Sequence, residues 1–247
     1  MLDRDVASGI HRVEDAFTNW YLVEDGRSLT VVDTGHPRSW HSLGLALAEL
    51  GRSKSDIEAV LLTHGYFDHV GFAERARNDL RVPVWVHERE VPLVRRPWRF
   101  DHERTLLSYL VRHGRFDLVF ATMGLYGAIW VKGLRGASTY DGETELDVPG
   151  RPRIVFTPGH THGHSSFHFP DRGAVIAGDA LVTHDPFTGE AGPRIVAGAA
   201  TADSGQALAS LDALEATGAE TVLTGHGKPW THGVAAAAAH ARAAGSS

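Results

Sequence analysis

Two stretches of the chain concentrate side chains that bind metal ions. In THGYFDHVG, His64, Asp68 and His69 fall within six residues, directly behind the apolar run 59–62. In TPGHTHGHSSF, His160, His162 and His164 follow the apolar run 154–156. Imidazole nitrogens and carboxylate oxygens are ligands for zinc, manganese and iron. Three further runs stop on a group of the same kind: VVDTG on Asp33, VIAGD on Asp179 and VLTGH on His226. One such residue says little, because a lone His or Asp at a strand end is common. Five runs ending alike would deliver ligands from distant parts of the chain to one rim, each held by a rigid element. Water activated by a metal ion, used in hydrolysis, is the chemistry such a rim supports. Position 66, between His64 and Asp68, is a tyrosine, whose free hydroxyl ionises only near pH ~10.

The elements that must position these groups alternate along the chain. Residues 17–25 and 28–35 are predicted as strands around the turn Asp25-Gly26. In RSWHSLGLALAELG, Trp40, Leu43, Leu47 and Leu50 recur at helical spacing and Gly51 follows the last of them. Strand 57–64, helix 70–80 and strand 82–87 come next. Residues 91–140 carry mixed aromatic and basic side chains without clean strand periodicity and read as a helical insertion. Strands then return at 153–160, 165–171, 173–179 and 219–227. Between the last two, SGQALASLDALEATG reads as an amphipathic helix with Ser204 as its N-cap. An alanine-rich helix closes the chain. Both parts run strands, helix, then a strand ending in His-Gly, so two sheets packed face to face with helices outside are expected.

Composition narrows the function classes. The 247 residues carry 24 Lys and Arg against 30 Asp and Glu, a net charge of −6. No basic tract stands out, so nucleic acid is not an expected partner. There is no cysteine, which excludes disulfides and thiolate metal sites. The N-terminus lacks an apolar signal core, and no apolar run reaches the ~18 residues of a membrane helix. A cytoplasmic protein acting on a small molecule is expected.

Together, THGYFDHVG, TPGHTHGHSSF, AGDAL, TGHG and VVDTG resemble the metallo-β-lactamase-fold superfamily, over residues 19 to about 230. The resemblance implies an α/β fold, a four-layer αβ/βα sandwich, in a single domain over 1–247, with the insertion at about 91–140 lying over the site. It implies one metal position at His64 and His160, a second at Asp68, His69 and His226, and Asp179 bridging the two. The family motif is H-x-H-x-D-H, and Tyr66 stands where its second histidine would be.

The implied activity is that of a metal-dependent hydrolase, using one or two zinc ions on an ester, lactone, thioester or amide. Manganese and iron are the alternative metals. Asp68, Asp179 and Tyr66 are the candidate catalytic residues, Tyr66 as a ligand, an oxyanion donor or packing. Asp33 and His164 are expected to orient the ligands from behind. A different reading makes His64, His160 and Asp179 a two-histidine, one-carboxylate iron site, as in the persulfide dioxygenases of the superfamily. A third makes the fold a non-catalytic relic that binds metal or ligand. The insertion supplies Trp98, Phe100, Tyr109, Phe116, Phe120, Met123, Tyr126 and Trp130. Of these, Trp98, Tyr126 and Trp130, together with His184, are candidate pocket residues, and Arg95, Arg96 and Arg99 candidate holders of an anionic tail. An exposed aromatic insertion would favour a homodimer.

Overall fold

The computed structural model describes residues 1–105, 116–141 and 145–247; of residues 116–118 and 120 it describes the backbone only. Tyr109 and the side chains of Phe116 and Phe120 therefore lie outside it. Strands β1 (Leu2–Ala7), β2 (Ile10–Asp15), β3 (Thr18–Asp25), β4 (Ser28–Val32), β5 (Ile57–Leu61), β6 (Val84–His87) and β7 (Ser138–Tyr140) lie side by side in that order. Pairing is antiparallel from β1 to β4 and parallel from β4 to β7. Strands β8 (Arg153–Phe156), β9 (Ser165–Phe169) and β10 (Ala174–Gly178) follow, then the hairpin β11 (Val182–His184) and β12 (Ala191–Arg194), then β13 (Thr221–Thr224). The second sheet has the order β13-β10-β9-β8. The helices are α1 (Ser39–Glu49), α2 (Ala73–Asp79), α3 (Val91–Arg95), α4 (Phe116–Leu125), α5 (Ser204–Glu215) and α6 (Val234–Ala244).

Three apolar clusters mark the interfaces of the four layers. Trp20, Leu22, Val31 and Val60 pack with Leu43 and Leu47 of α1 and Ala76 of α2. Tyr21, Val23, Val32, Phe167, Phe169 and Ile176 fill the space between the sheets. Val175, Ala177 and Val222 meet Leu211 and Leu214 of α5 and Ala237, Ala238 and Ala241 of α6. Strand β3 serves two of these clusters at once, because successive side chains point to opposite faces. A strand covered on both faces reads as an unbroken apolar run, which is why β3, β5 and β10 were visible in sequence.

Three expectations need correction. Strands β1 and β2 were not anticipated, since their faces carry charges: the Arg12 guanidinium is buried, bonding Asp3 Oδ2 at 2.6 Å and the Gly227 carbonyl at 2.7 Å. The insertion ends before β7, which pairs with β6 and completes the first sheet. The N-cap of α5 is Asp203, whose carboxylate accepts from Gln206 N at 2.8 Å. Ser204 is the first helical residue, and its hydroxyl donates to Glu103 at 2.6 Å. No described helix is long and apolar enough to cross a membrane.

Candidate metal centre

Each ligand candidate sits just beyond a strand, at the same end of the two sheets. β4 runs into Asp33, β5 into His64, Asp68 and His69, β8 into His160, β10 into Asp179 and β13 into His226. The structure brings all six proposed ligands together in two buried groups: His64, His160 and Asp179, and Asp68, His69 and His226. The Nε2 atoms of His64 and His160 lie 3.3 Å apart. Asp179 stands between the groups, with Oδ2 at 3.5 Å from His160 Nε2 and 3.2 Å from His226 Nε2, and Oδ1 at 3.6 Å from His69 Nε2. Asp68 Oδ2 is 3.5 Å from His226 Nε2.

The residues behind the ligands decide which imidazole nitrogen faces inward. His69 Nδ1 meets Asp33 Oδ2 at 2.9 Å and His226 Nδ1 meets the Phe17 carbonyl at 2.7 Å. A carboxylate and a carbonyl accept, so each Nδ1 is the donor and each Nε2 is the nitrogen that faces the centre, free to bind a metal once its proton is displaced. Thr63 Oγ1 donates to Asp33 Oδ2 at 2.8 Å, which leaves its oxygen to accept from His64 Nδ1 at 2.9 Å and turns the His64 Nε2 lone pair inward too. Asp33 thus orders both histidines of the first motif. Its φ of 60° is unusual for a residue with a side chain, a local cost that the surrounding bonds must offset.

His164 has the opposite fate. Its Nε2 accepts from the Asp179 backbone N–H at 3.1 Å, and its Nδ1 pairs with Thr157 Oγ1 at 2.9 Å. With both nitrogens engaged it holds Asp179 from behind, and burial lowers its pKa to about 3. His162 is exposed, 3.3 Å from Asp101.

The donor set fits a cation. His69 Nε2 and Asp179 Oδ1 are buried and have no hydrogen-bond partner, a costly arrangement for polar atoms that nothing else satisfies. Burial alone would keep His69 neutral, yet the carboxylates of Asp179, Asp68 and Asp33 outweigh it and push its pKa up to about 10. Burial would likewise raise Asp179, but His226 and His69 hold it well below the usual carboxylate range. His160, with burial dominant, drops to about 4. Three carboxylates thus create a field for positive charge in a site that water does not screen, and protons on His69 and His226 are what a metal ion would displace.

Tyr66 turns away from the centre. Its hydroxyl donates to the Ala200 carbonyl at 3.0 Å, with the His160 carbonyl at 3.3 Å. Its ring packs on His64 and His160 at centroid distances of 4.9 and 4.6 Å. Of the three expected roles this geometry matches packing: the aromatic ring fills the space beside the two imidazoles, and burial raises its pKa well above 10. Tyr66→Phe is expected to leave turnover within about twofold and to cost roughly 1–2 kcal/mol of stability, the loss of one buried hydrogen bond. Paired urea melts and rate measurements check this; a large fall in rate with unchanged stability would restore a chemical role.

The pocket expectations are also corrected. A cavity of about 20 Å³ lies over the centre, walled by Tyr66, Phe67, Phe100, Val119, Met123 and Phe187. Trp98, Tyr126, Trp130 and His184 do not line it. Trp98 stacks on the outer side of Phe67 with rings 3.9 Å apart, Tyr126 lies beside His36 and Trp130 is 65% exposed. On α4 the i, i+4 pair Val119 and Met123 faces inward, a choice among apolar residues that helical spacing alone leaves open. Arg96 and Arg99, with Arg89 in place of Arg95, line an outer pocket of about 330 Å³ behind Tyr66 and Phe100. Thr18, whose hydroxyl donates to Asp68 Oδ2 at 3.3 Å, was missed, as was the Phe17 carbonyl. A lone threonine and a backbone oxygen leave no mark in a sequence.

Comparison with known proteins agrees with this architecture. The family model of the metallo-beta-lactamase superfamily matches residues 13–226. The chain is 28% identical to the probable metallo-hydrolase YflN of Bacillus subtilis (strain 168), over 92% of this chain and 87% of that protein. A metallo-beta-lactamase family protein from Thermus thermophilus has a similar structure, with TM-score 0.67 and 27% identity over 94% of this chain and 77% of that one. TTHA1623 in a di-iron-bound form gives TM-score 0.58 and 27% identity over 91% of this chain and 95% of that one.

Proposed function

Because the chain belongs to the metallo-beta-lactamase superfamily, we propose that it is a hydrolase holding two divalent metal ions, zinc first among the candidates, and acting on a carbonyl substrate: an ester, lactone, thioester or amide. The observation that carries the reading is the pair of buried three-residue ligand groups with Asp179 between them. His64, His160 and Asp179 would hold one ion, and Asp68, His69 and His226, with Asp179 shared, the other. A bound metal supplies an acidic water and a Lewis acid for the carbonyl oxygen. The chain's own part is to hold the ligands in register through Asp33, Thr63, His164 and Thr18, and to keep bulk water out with Phe100, Val119, Met123 and Phe187. Asp68 and Asp179 both line the cavity and are the carboxylates placed to take a proton and return it to the leaving group. The cavity has room for about one water, so the apolar wall must open for a substrate, and apolar walls favour a substrate with a hydrophobic part.

The dioxygenase reading needs only His64, His160 and Asp179, and leaves Asp68, His69 and His226 without a task; the second group therefore favours the hydrolase. The di-iron form of TTHA1623 supports iron as the alternative metal. The test is elemental analysis of protein purified without added metal, with generic ester, lactone and thioester hydrolysis before and after chelation. Two ions per chain and hydrolysis abolished by chelator, then restored by metal, are expected. One iron with oxygen consumption on a persulfide would replace the proposal by the dioxygenase; no metal and no chelator effect would leave the relic.

A further inference from the structure

Glu90 closes the short helical turn Glu88–Glu90 after β6 and is 1% exposed. It is not a ligand candidate and lies outside both ligand motifs. Its two carboxylate oxygens accept from two backbone donors: Oε2 from Gly65 N and Oε1 from Gly163 N, each at 2.8 Å. Gly65 directly follows His64. Gly163 lies between His160 and His164. The contacts are too tight for any other residue: a Cβ on Gly65 would fall 2.8 Å from Leu93 Cγ and 2.9 Å from Val94 N, and one on Gly163 would fall 2.9 Å from both Glu90 Cγ and Oε1. Burial raises the Glu90 pKa, and the bonds from Thr161, Gly163 and Gly65 oppose that rise. A buried carboxylate is expensive to keep, and this one makes no capping bond to α3.

We infer that Glu90 is a positioning residue of the metal centre, a carboxylate that ties the loop carrying His64 to the loop carrying His160 and so fixes the approach of their Nε2 atoms. The inference rests on the two-metal reading above. The other ligand group has independent restraints: Asp33 and the Thr34 backbone on His69, Thr18 on Asp68, and Phe17 on His226. Loss of Glu90 therefore acts on one metal position more than on the other, which a general packing defect would not do.

The experiment is zinc titration of the metal-free full chain against a chelating dye, for the wild type, Glu90→Gln and Gly163→Ala. Glutamine keeps one acceptor but meets the second backbone N–H with its own amide donors. The alanine methyl displaces the carboxylate without removing it. Both variants are expected to bind one zinc as the wild type does and the other about 10- to 100-fold more weakly, the usual effect of losing a group behind the ligands. Thermal melting of the metal-free forms confirms that each variant is folded, and the alanine variant stands in if the glutamine variant is not. Equal weakening of both ions, or no weakening of either, overturns the role of Glu90. A wild-type chain that binds fewer than two zinc ions overturns the two-metal reading beneath it instead.

Discussion

Asp179→Ala is expected to remove the ion of the His64 and His160 group, to weaken binding of the other, and to lower kcat/KM by at least about a thousandfold, the ~4 kcal/mol that metal stabilisation of charge commonly supplies. Asp179 follows Gly178, the last residue of β10, and its two oxygens face His160, His226 and His69. Without it, the group of His64 and His160 keeps two imidazoles and no carboxylate, too few donors for a stable site. The other group keeps three ligands, enough for an ion with a water in the fourth place, but loses the shared negative charge of Asp179 beside His69 and His226. The backbone N–H that anchors the position to His164 is untouched by the change, so the fold should persist. Metal content by elemental analysis and steady-state rates check the result. A variant that kept two full equivalents of metal would refute the bridging role.

Gly225→Ala is expected to empty the centre although no ligand is altered. A Cβ at this position would lie 1.9 Å from Asp179 Oδ1 and 3.0 Å from His69 Cε1. The loop cannot step back to make room: Gly225 N donates to the Gly178 carbonyl at 2.8 Å, and its own carbonyl accepts from Asn19 N at 2.7 Å. Either the Asp179 carboxylate swings out or the loop carrying His226 tears from β3. We expect metal affinity to fall by about a hundredfold or more, at the upper end for groups that orient ligands, and stability to fall by roughly 1–3 kcal/mol, as for overpacking. Gly44→Ala in α1 is the control, since no atom lies within 4 Å of its added Cβ; exposed helix interiors gain up to about 1 kcal/mol from this change. Normal metal content in the Gly225 variant would mean that the close approach is not a constraint.

How much of this was legible depended on what each residue answers to. The ligand loops were readable because the buried strands before them are largely apolar runs, and those runs stop where the chain must turn polar. The strands at the N-terminus were not, because Arg12 and His11 are buried there among charged partners and Asp15 against Trp20 and Ser42. Tyr66 could be recognised as a departure from the family motif. The direction of its hydroxyl could not, because it is set by the Ala200 carbonyl, far away in the chain. The pocket expectation failed for a related reason: the segment from Trp98 to Trp130 holds many aromatics, and only tertiary packing selects Phe100, Val119 and Met123 over them. Glu90 has no local signature at all, since both of its partners are backbone amides.

The ligands come from both sheets, with His64, Asp68 and His69 beyond β5 and His160, Asp179 and His226 beyond the strands of the other. No half of the molecule can hold an ion by itself. Capture of metal must therefore come late, after the sheets have closed on Tyr21, Phe167 and Phe169. An interaction absent from the folding transition state does little for the rate of folding and acts instead on the rate of unfolding. Bound ions would then serve as a clasp on a finished object: they would lengthen the lifetime of the native state, and a chelator would shorten it while the architecture stayed the same.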